Sequence, residues 1–558
     1  MTFHTLTYAR LDHRMIHRLP RSPLSAAWAW GVGAAILLGA YVRLDQILIQ
    51  VLIDDEWHAI HQLLKRTPGS MFFDFGYADY SIPLGMLYWY EAQSFGLSEF
   101  AMRLPMLVCG LATLVVFPLY VASRLGRATS VVFAILIAIS PLLVLYTRIA
   151  RPYAITLLLA WVAHSAYQRY HDTVRGHWSA GLLYGASATL AVWLHPVIAP
   201  FIIAPLLWAL LQLRHALPGT RRRRLYRLAS LALSTGIAMG ALVLPPLLAH
   251  PEALVGKGGI NMPDLATLAG AWYAWLGTPS TFVVLLCVGL AAYGARDVWR
   301  ALPEARTGVL GVALSLAAVM LTRPMWSQYP TTLARYLLPF IPLLLLAVAA
   351  GSVKLGRRLA EPTSMIKRSI GALVALVPCV ALAAQSPLAP SLRHPNAQTL
   401  HSVFYVDFRP EKNPYLPYIE GIPLSPFWAS LAERPPGTVR IAAAPFYFES
   451  YNWDAPRWER VARQTVLPGY LTGLCVEERA GEVPRDARFR FRNAVHLADD
   501  AALDRKHVDY IVWQKPYTQS SRGRPEPIGA ETAHCEAALR AKFGTPVFED
   551  AALLAFRR

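Results

Sequence analysis

Long apolar runs, set off from one another by short clusters of arginine, recur along the first 385 residues of this chain. A bilayer's hydrocarbon core of about 30 Å takes roughly 20 apolar residues as a helix, and every backbone N–H and C=O in it must be satisfied within the segment. A chain patterned in this way folds as a bundle of membrane-spanning helices. Composition agrees, since 55% of the residues are hydrophobic and only 16% charged. The mean hydropathy of +0.34 is too high for an ordinary soluble protein.

The formal net charge of +18 would suit a nucleic-acid partner if it were spread over one surface. It is instead confined to short loops: Arg10 to Arg21, Arg124 and Arg127, Arg169 and Arg175, Arg214 to Arg227, Arg296 to Arg306, and Lys354 to Arg368. Placing all of these loops in the cytoplasm satisfies the positive-inside rule with one threading. The spans then fall at about 24–42, 104–123, 130–145, 153–167, 180–194, 197–213, 228–248, 281–293, 309–321, 336–353 and 370–384. That makes about eleven, with the N-terminus inside and the C-terminus outside. The first run lacks a small-residue cleavage site and is read as a retained span. The charge is therefore a topology signal, and nucleic acid is not an expected partner.

One apolar stretch does not fit this threading. Residues 82–97, "IPLGMLYWYEAQSFGL", carry Glu91 and Gln93, and counting them as a span would reverse every later arginine cluster. They are expected to lie along the outer interface as an aromatic-rich helix. Residues 43–103 then form one long outer loop, which holds three consecutive acids, Asp54, Asp55 and Glu56. Acids beside a membrane have to be solvated, paired, bound to a cation or used in chemistry. Four other stretches rich in cations and aromatics fall on the same face: 146–154, 193–200, 250–280 and 322–339.

Beyond about residue 387, proline-rich and polar sequence replaces the apolar runs. Strand-like pieces at 438–448 and 508–515 and helical pieces at 454–466 and 531–544 predict an external α/β domain over 387–558, after a membrane domain over 1–386. Cys109, Cys287 and Cys379 lie in spans and read as packing residues. Cys475 and Cys535 are the two cysteines of the external domain and could be joined in an oxidising compartment.

Four segments in order, the Asp-Glu of the first outer loop, "RLP" at 103–105, "YTRIARPYA" at 146–154 and "ARYLLP" at 334–339, resemble the bacterial polyprenyl-phosphate-sugar glycosyltransferases. These are the GT-C fold enzymes that include the aminoarabinose transferase of lipid A and the protein O-mannosyltransferases. The resemblance covers about residues 24–385. It implies an all-α polytopic catalytic domain with a large first periplasmic loop, set in the bacterial inner membrane. It also implies a polyprenyl-phosphate-linked sugar as donor and a lipid, polysaccharide or protein as acceptor. Residue by residue, Asp55 and Glu56 match the family's acidic pair and are the catalytic candidates, with Asp55 as catalytic carboxylate; Glu56 could instead pair with a neighbouring arginine and organise the loop. Arg103, Arg151, Tyr153, Arg335 and Tyr336 match its remaining motifs. The chain departs from the pattern twice: Ile149 stands where the family usually has Glu, and "ADYSIP" at 78–83 replaces the usual Asp-His-Pro-Pro. Asp74, Asp79 and Glu91 are candidates for a second carboxylate.

The residue chemistry leads the same way. A lipid-phosphate donor leaves an anion at the membrane surface, so the acceptor hydroxyl needs a base and the departing phosphate needs cations. Asp55 can take the proton, while Arg151 and Arg335 can grip phosphate oxygens through paired hydrogen bonds. Tyrosine rings can stack on a sugar. His195, before a proline at the outer end of a span, and Lys257, in the Gly-rich "VGKGGIN", are further candidates for substrate binding. Asp54, Asp55 and His58 could hold a divalent metal. Two other classes remain open: a transporter or lipid flippase, which would place ionisable residues near mid-membrane and often show internal repeats, and an inactive envelope-assembly protein on the same fold.

Overall fold

The computed structural model describes residues 23–45, 47–48, 56, 59, 63, 66–75, 81–172, 177–215, 217–252, 258–259, 262–360, 364–386, 388, 424–445, 454–475, 494–515 and 534–558. Its first part is helical. Helix α1 (Pro23–Leu44) is followed, among the described residues, by two elements of the first loop, α2 (Pro68–Phe72) and α3 (Ile82–Ser94). Next come α4 (Glu99–Leu125), α5 (Arg127–Ala138), α6 (Pro141–Arg148), α7 (Tyr153–Asp172), α8 (Trp178–Leu194), α9 (Ala199–Gln212) and α10 (Pro218–Ala249). The bundle is completed by α11 (Leu265–Leu276), α12 (Thr281–Ala301), α13 (Pro303–Thr322), α14 (Pro330–Tyr336), α15 (Phe340–Leu359) and α16 (Met365–Gln385).

Among the described residues, eight helices are long and apolar enough to cross a membrane, or nine if α5 and α6, bent by 57° at Pro141, count as one span. The protein is a multi-pass membrane protein. The other two expected spans are α7 and α8, which pack closely on each other. Helix α7 carries His164, Gln168, Arg169 and His171, which lower its hydropathy, and α8 has only 17 residues. As expected, α3 is not one of the candidate spans. It buries Leu84, Tyr88 and Ala92 against its neighbours and exposes Tyr90, with Phe95 exposed just beyond its end.

Small residues let several helices close on each other. Gly294 of α12 faces Gly351 of α15 so closely that a Cβ on either would overlap the other helix's backbone, and Gly356 of α15 meets Gly371 of α16 in the same way. Such contacts supply the van der Waals packing that membrane helices use in place of a hydrophobic drive.

The C-terminal part is an α/β unit. Its strands are β1 (Arg440–Ala444), β2 (Thr465–Tyr470), β3 (Val495–His496), β4 (Tyr510–Gln514), β5 (Phe548–Glu549) and β6 (Leu553–Arg557), in the order β3-β2-β1-β4-β6-β5. The first four run parallel, and β6 runs antiparallel to both β4 and β5. Alternate residues feed two separate cores, Ala442 and Ala444 on one face and Ile441 and Ala443 on the other. The helix expected over 454–466 is shorter: it covers Ala455–Ala462, Arg463 turns the chain at a φ of 56°, and Thr465 opens β2. Its β-branched Thr465 and Val466 pair in register with Arg440 and Ile441, so sheet pairing overrides the helical pattern. Cys475 and Cys535 are joined by a disulfide with their Cα atoms 5.3 Å apart.

Candidate active site

The centre of the site is a buried ion pair between the first loop and the start of α4. Ser98 caps α4 by accepting from the Ala101 N–H, and residues 99, 102, 103, 106, 107 and 110 then recur at helical spacing on its buried face. Arg103 on that face is 0% exposed, as is Glu56. The guanidinium donates from Nε to Glu56 Oε1 at 2.8 Å and from Nη2 to Glu56 Oε2 at 2.7 Å. The same Oε1 accepts a third hydrogen bond, at 2.7 Å, from the Ala150 N–H.

That third donor exists because the chain breaks between α6 and α7. Pro152 disfavours helical geometry at the preceding residue, and Ile149 is already extended at φ −114°, ψ 147°. The Ala150 N–H, freed from a helical ladder, finds the carboxylate. Ile149, where the resemblance read from the motifs led to an expectation of Glu, is 2% exposed within the apolar core. The described carboxylate beside this break is therefore Glu56.

The break also delivers the next residues to one cluster. The Tyr153 ring lies 4.6 Å from that of Tyr146 and 5.0 Å from His195, and His195 in turn stacks on Tyr336 at 6.3 Å. His195 reaches this position because Pro196 ends α8, leaving it extended at φ −155°, ψ 96°. The Arg335 guanidinium sits over both tyrosines, 5.6 Å from the Tyr153 ring and 5.5 Å from the Tyr336 ring. Burial, then the positive charges of Arg151 and Arg335, push the His195 imidazole down to about 3, so it is neutral at physiological pH. Arg151, Tyr153, His195, Arg335 and Tyr336, scattered over 186 positions of sequence, thus meet in one aromatic and cationic cluster.

Neighbouring connecting segments pack on one another. Phe72 of α2 packs edge-on to Trp193 at 6.4 Å, and Arg66 pairs with Asp74 at 2.5 Å, with His250 at 3.9 Å from the same carboxylate. The segments around 258 and 324 pair as a β-bridge, and Thr267 donates to the Gln328 carbonyl at 2.7 Å. Half-buried Glu91 on α3 is raised by desolvation to about 7, which suits a group exchanging protons near neutrality.

Asp54, Asp55, His58, Asp79 and Lys257 lie outside the described residues. Among the described residues, no group of three or more His, Cys, Asp or Glu is arranged to hold a metal. Sequence reasoning missed Tyr146, which completes the tyrosine pair. It also missed Arg43, whose buried guanidinium donates to the Gly39, Ala138 and Ile137 carbonyls. Tyr146 stood within a stretch already marked as aromatic and cationic; Arg43, at the end of a span, gave no such signal.

Residues 85–239, just over a quarter of the chain, match the family model described as dolichyl-phosphate-mannose-protein mannosyltransferase. The matched segment holds Arg103, Arg151, Tyr153 and His195. Over it the chain is similar to membrane glycosyltransferases, in agreement with the resemblance read from the motifs. No curated protein matches the sequence. Among solved structures, ArnT from Cupriavidus metallidurans in the apo state shares 13% identity at a TM-score of 0.41, covering 96% of this chain and 98% of that one. The apo Archaeoglobus fulgidus oligosaccharyltransferase shares 12% identity at 0.43, over 87% and 69%. The arabinofuranosyltransferase AftD from Mycobacteria shares 16% identity at 0.41, over 95% of this chain and 40% of its own length.

Proposed function

We propose that this protein is an integral membrane glycosyltransferase that moves a sugar from a polyprenyl-phosphate carrier to an envelope acceptor on the periplasmic side of the bacterial inner membrane. The observation that supports this most directly is the meeting of Arg151 and Arg335 with Tyr153, His195 and Tyr336 beside the Glu56–Arg103 pair. Two guanidinium groups held among aromatic faces suit a lipid phosphate and its attached sugar. Neutral His195 adds a hydrogen-bonding group without a charge that would compete for the phosphate. We assign the base to Asp55, one peptide bond from Glu56. In this reading Glu56 is a positioning residue, since its two oxygens already accept three hydrogen bonds from Arg103 and Ala150.

In the reaction, Asp55 accepts the acceptor hydroxyl's proton as that oxygen bonds to the anomeric carbon. The bond from that carbon to the phosphate oxygen breaks, and the electron pair stays on the departing polyprenyl phosphate. Arg151 and Arg335 stabilise the charge gained there. A divalent cation, if used, would be held by Asp54, Asp55 and His58 and would steady the phosphate. Lys257 is assigned to the same anion.

The test is turnover of radiolabelled polyprenyl-phosphate sugars by the purified full chain, wild type against Asp55→Asn, with and without chelator. Loss of transfer in a folded Asp55→Asn variant that still binds donor supports the assignment. Transfer retained in that variant sinks Asp55 as the base. A wild type that binds these lipids yet transfers from none of them moves the reading to an inactive scaffold, and one that binds none of them returns it to a transporter.

A further inference from the structure

A cavity runs along α7 from Leu158, five residues beyond Tyr153 of the candidate site, to Arg169 near the far end of that helix. It has a volume of about 200 Å³ and is walled by Phe117 of α4, Phe133 of α5, Trp161 of α7 and Leu346 of α15. Val116 of α4 and Leu183 of α8 also line it and are exposed, so it opens sideways between those helices. Its far end is polar: Arg169 lines it, Tyr120 lines it while donating to the buried Glu304 carboxylate, and the Arg124 guanidinium lies over the Tyr120 ring at 5.6 Å. Arg127 and Arg357 stand near the adjoining α4–α5 turn.

An apolar slot that opens to lipid and ends in arginines matches one ligand chemistry, an acyl chain with an anionic headgroup. From Leu158 to Arg169 the slot follows α7 for about 16 Å, the reach of most of one fatty-acyl chain. From Tyr153, in the candidate site, to Arg169 the same helix runs about 24 Å, so a phosphate held at the site cannot also lie at Arg169. We infer that this groove is a binding site for an anionic phospholipid of the leaflet opposite the candidate site, with its acyl chain between α4, α7 and α8 and its phosphate at Arg169 and Arg124.

The inference stands apart from the proposed reaction and is tested without it. Purified, delipidated protein is returned to nanodiscs of phosphatidylcholine alone or mixed with phosphatidylglycerol. Lipid retained after transfer to detergent is counted by native mass spectrometry for wild type, Arg169→Gln and Leu183→Trp. The expected wild-type preference for phosphatidylglycerol is about fivefold per basic contact. Arg169→Gln should lower that preference about fivefold while still retaining lipid, and Leu183→Trp, which fills the slot from an exposed position, should lose retention of both lipids. Equal retention of the two lipids by wild type, or an unchanged preference in Arg169→Gln, overturns the inference. So does weakened polyprenyl-phosphate binding by Leu183→Trp with phospholipid retention intact, which would give the groove to the donor's tail. Melting curves confirm that each variant is folded before its lipid is counted.

Discussion

Glu56 and Arg103 each sit at 0% exposure with their charges matched oxygen to nitrogen. Removing one partner leaves the other charged and stranded, which costs roughly 3–5 kcal/mol, whereas removing both costs far less. Glu56→Gln and Arg103→Leu should therefore each lower the melting temperature in detergent sharply, with the double variant recovering part of the loss. Near-additive losses would show that the pair is not a unit. His195 supplies a pH signature at the same scale. Its folded value of about 3 lies below the ordinary 6.5, so its contribution to stability is fully present above 6.5 and is lost as pH falls from there toward 3. Wild type should lose more stability than His195→Asn between about pH 6 and pH 4. Turnover of His195→Asn should keep the wild-type pH profile between about pH 6 and pH 8, and a shifted profile in that range would make His195 a titrating participant.

At the scale of elements, breaks matter more than helices. Five of the site's residues lie at interruptions rather than mid-helix: Arg151 and Tyr153 at the α6–α7 break, His195 between α8 and α9, and Arg335 and Tyr336 at the end of α14. Proline and the pre-proline restriction set two of those breaks, at Pro152 and Pro196, so their existence was legible in the sequence while their convergence was not. The helices behind them are held by close glycine contacts. Gly351→Leu should wedge α12 and α15 apart and sharply reduce the yield of folded protein, since overpacking costs about 1–3 kcal/mol or more. Gly289→Leu on α12, where a side chain meets open space, is the matched control and should express normally. Equal yields from the two variants would mean that the α12–α15 contact is not what limits the bundle.

At the scale of the whole molecule, the C-terminal unit is joined to the site by packing. Tyr470 at the end of β2 and Ala494 before β3 belong to the same apolar cluster as Ala59, Tyr88, Met102 and Ala150, of which Ala150 donates its N–H to Glu56 and Met102 precedes Arg103. The His496 ring stacks on Tyr470 at 4.3 Å, thickening that contact. The Cys475–Cys535 disulfide closes a sequence separation of 60 residues just beyond β2. Its chain-entropy contribution is roughly 4 kcal/mol by loop length. Replacing both cysteines with alanine should lower the melting of the C-terminal unit and, through Tyr470, reduce turnover while the spans stay folded. Unchanged turnover would separate that unit from the chemistry.

The sequence by itself determined that this is a helical membrane protein and where eight or nine of its expected spans lie. Those properties follow from the apolarity and length of contiguous segments, and the bilayer reads them one segment at a time. It also marked Arg103, Arg151, Tyr153, His195, Arg335 and Tyr336 by residue type and by motif. Only the tertiary structure decided that Glu56 is spent on Arg103 and the Ala150 N–H, that Ile149 belongs to the core, and that Arg335 lies over Tyr153 from 182 positions away. Each of these depends on which helix faces touch. That is set by side-chain packing between segments distant in sequence, and hydropathy, a property of each segment alone, does not contain it.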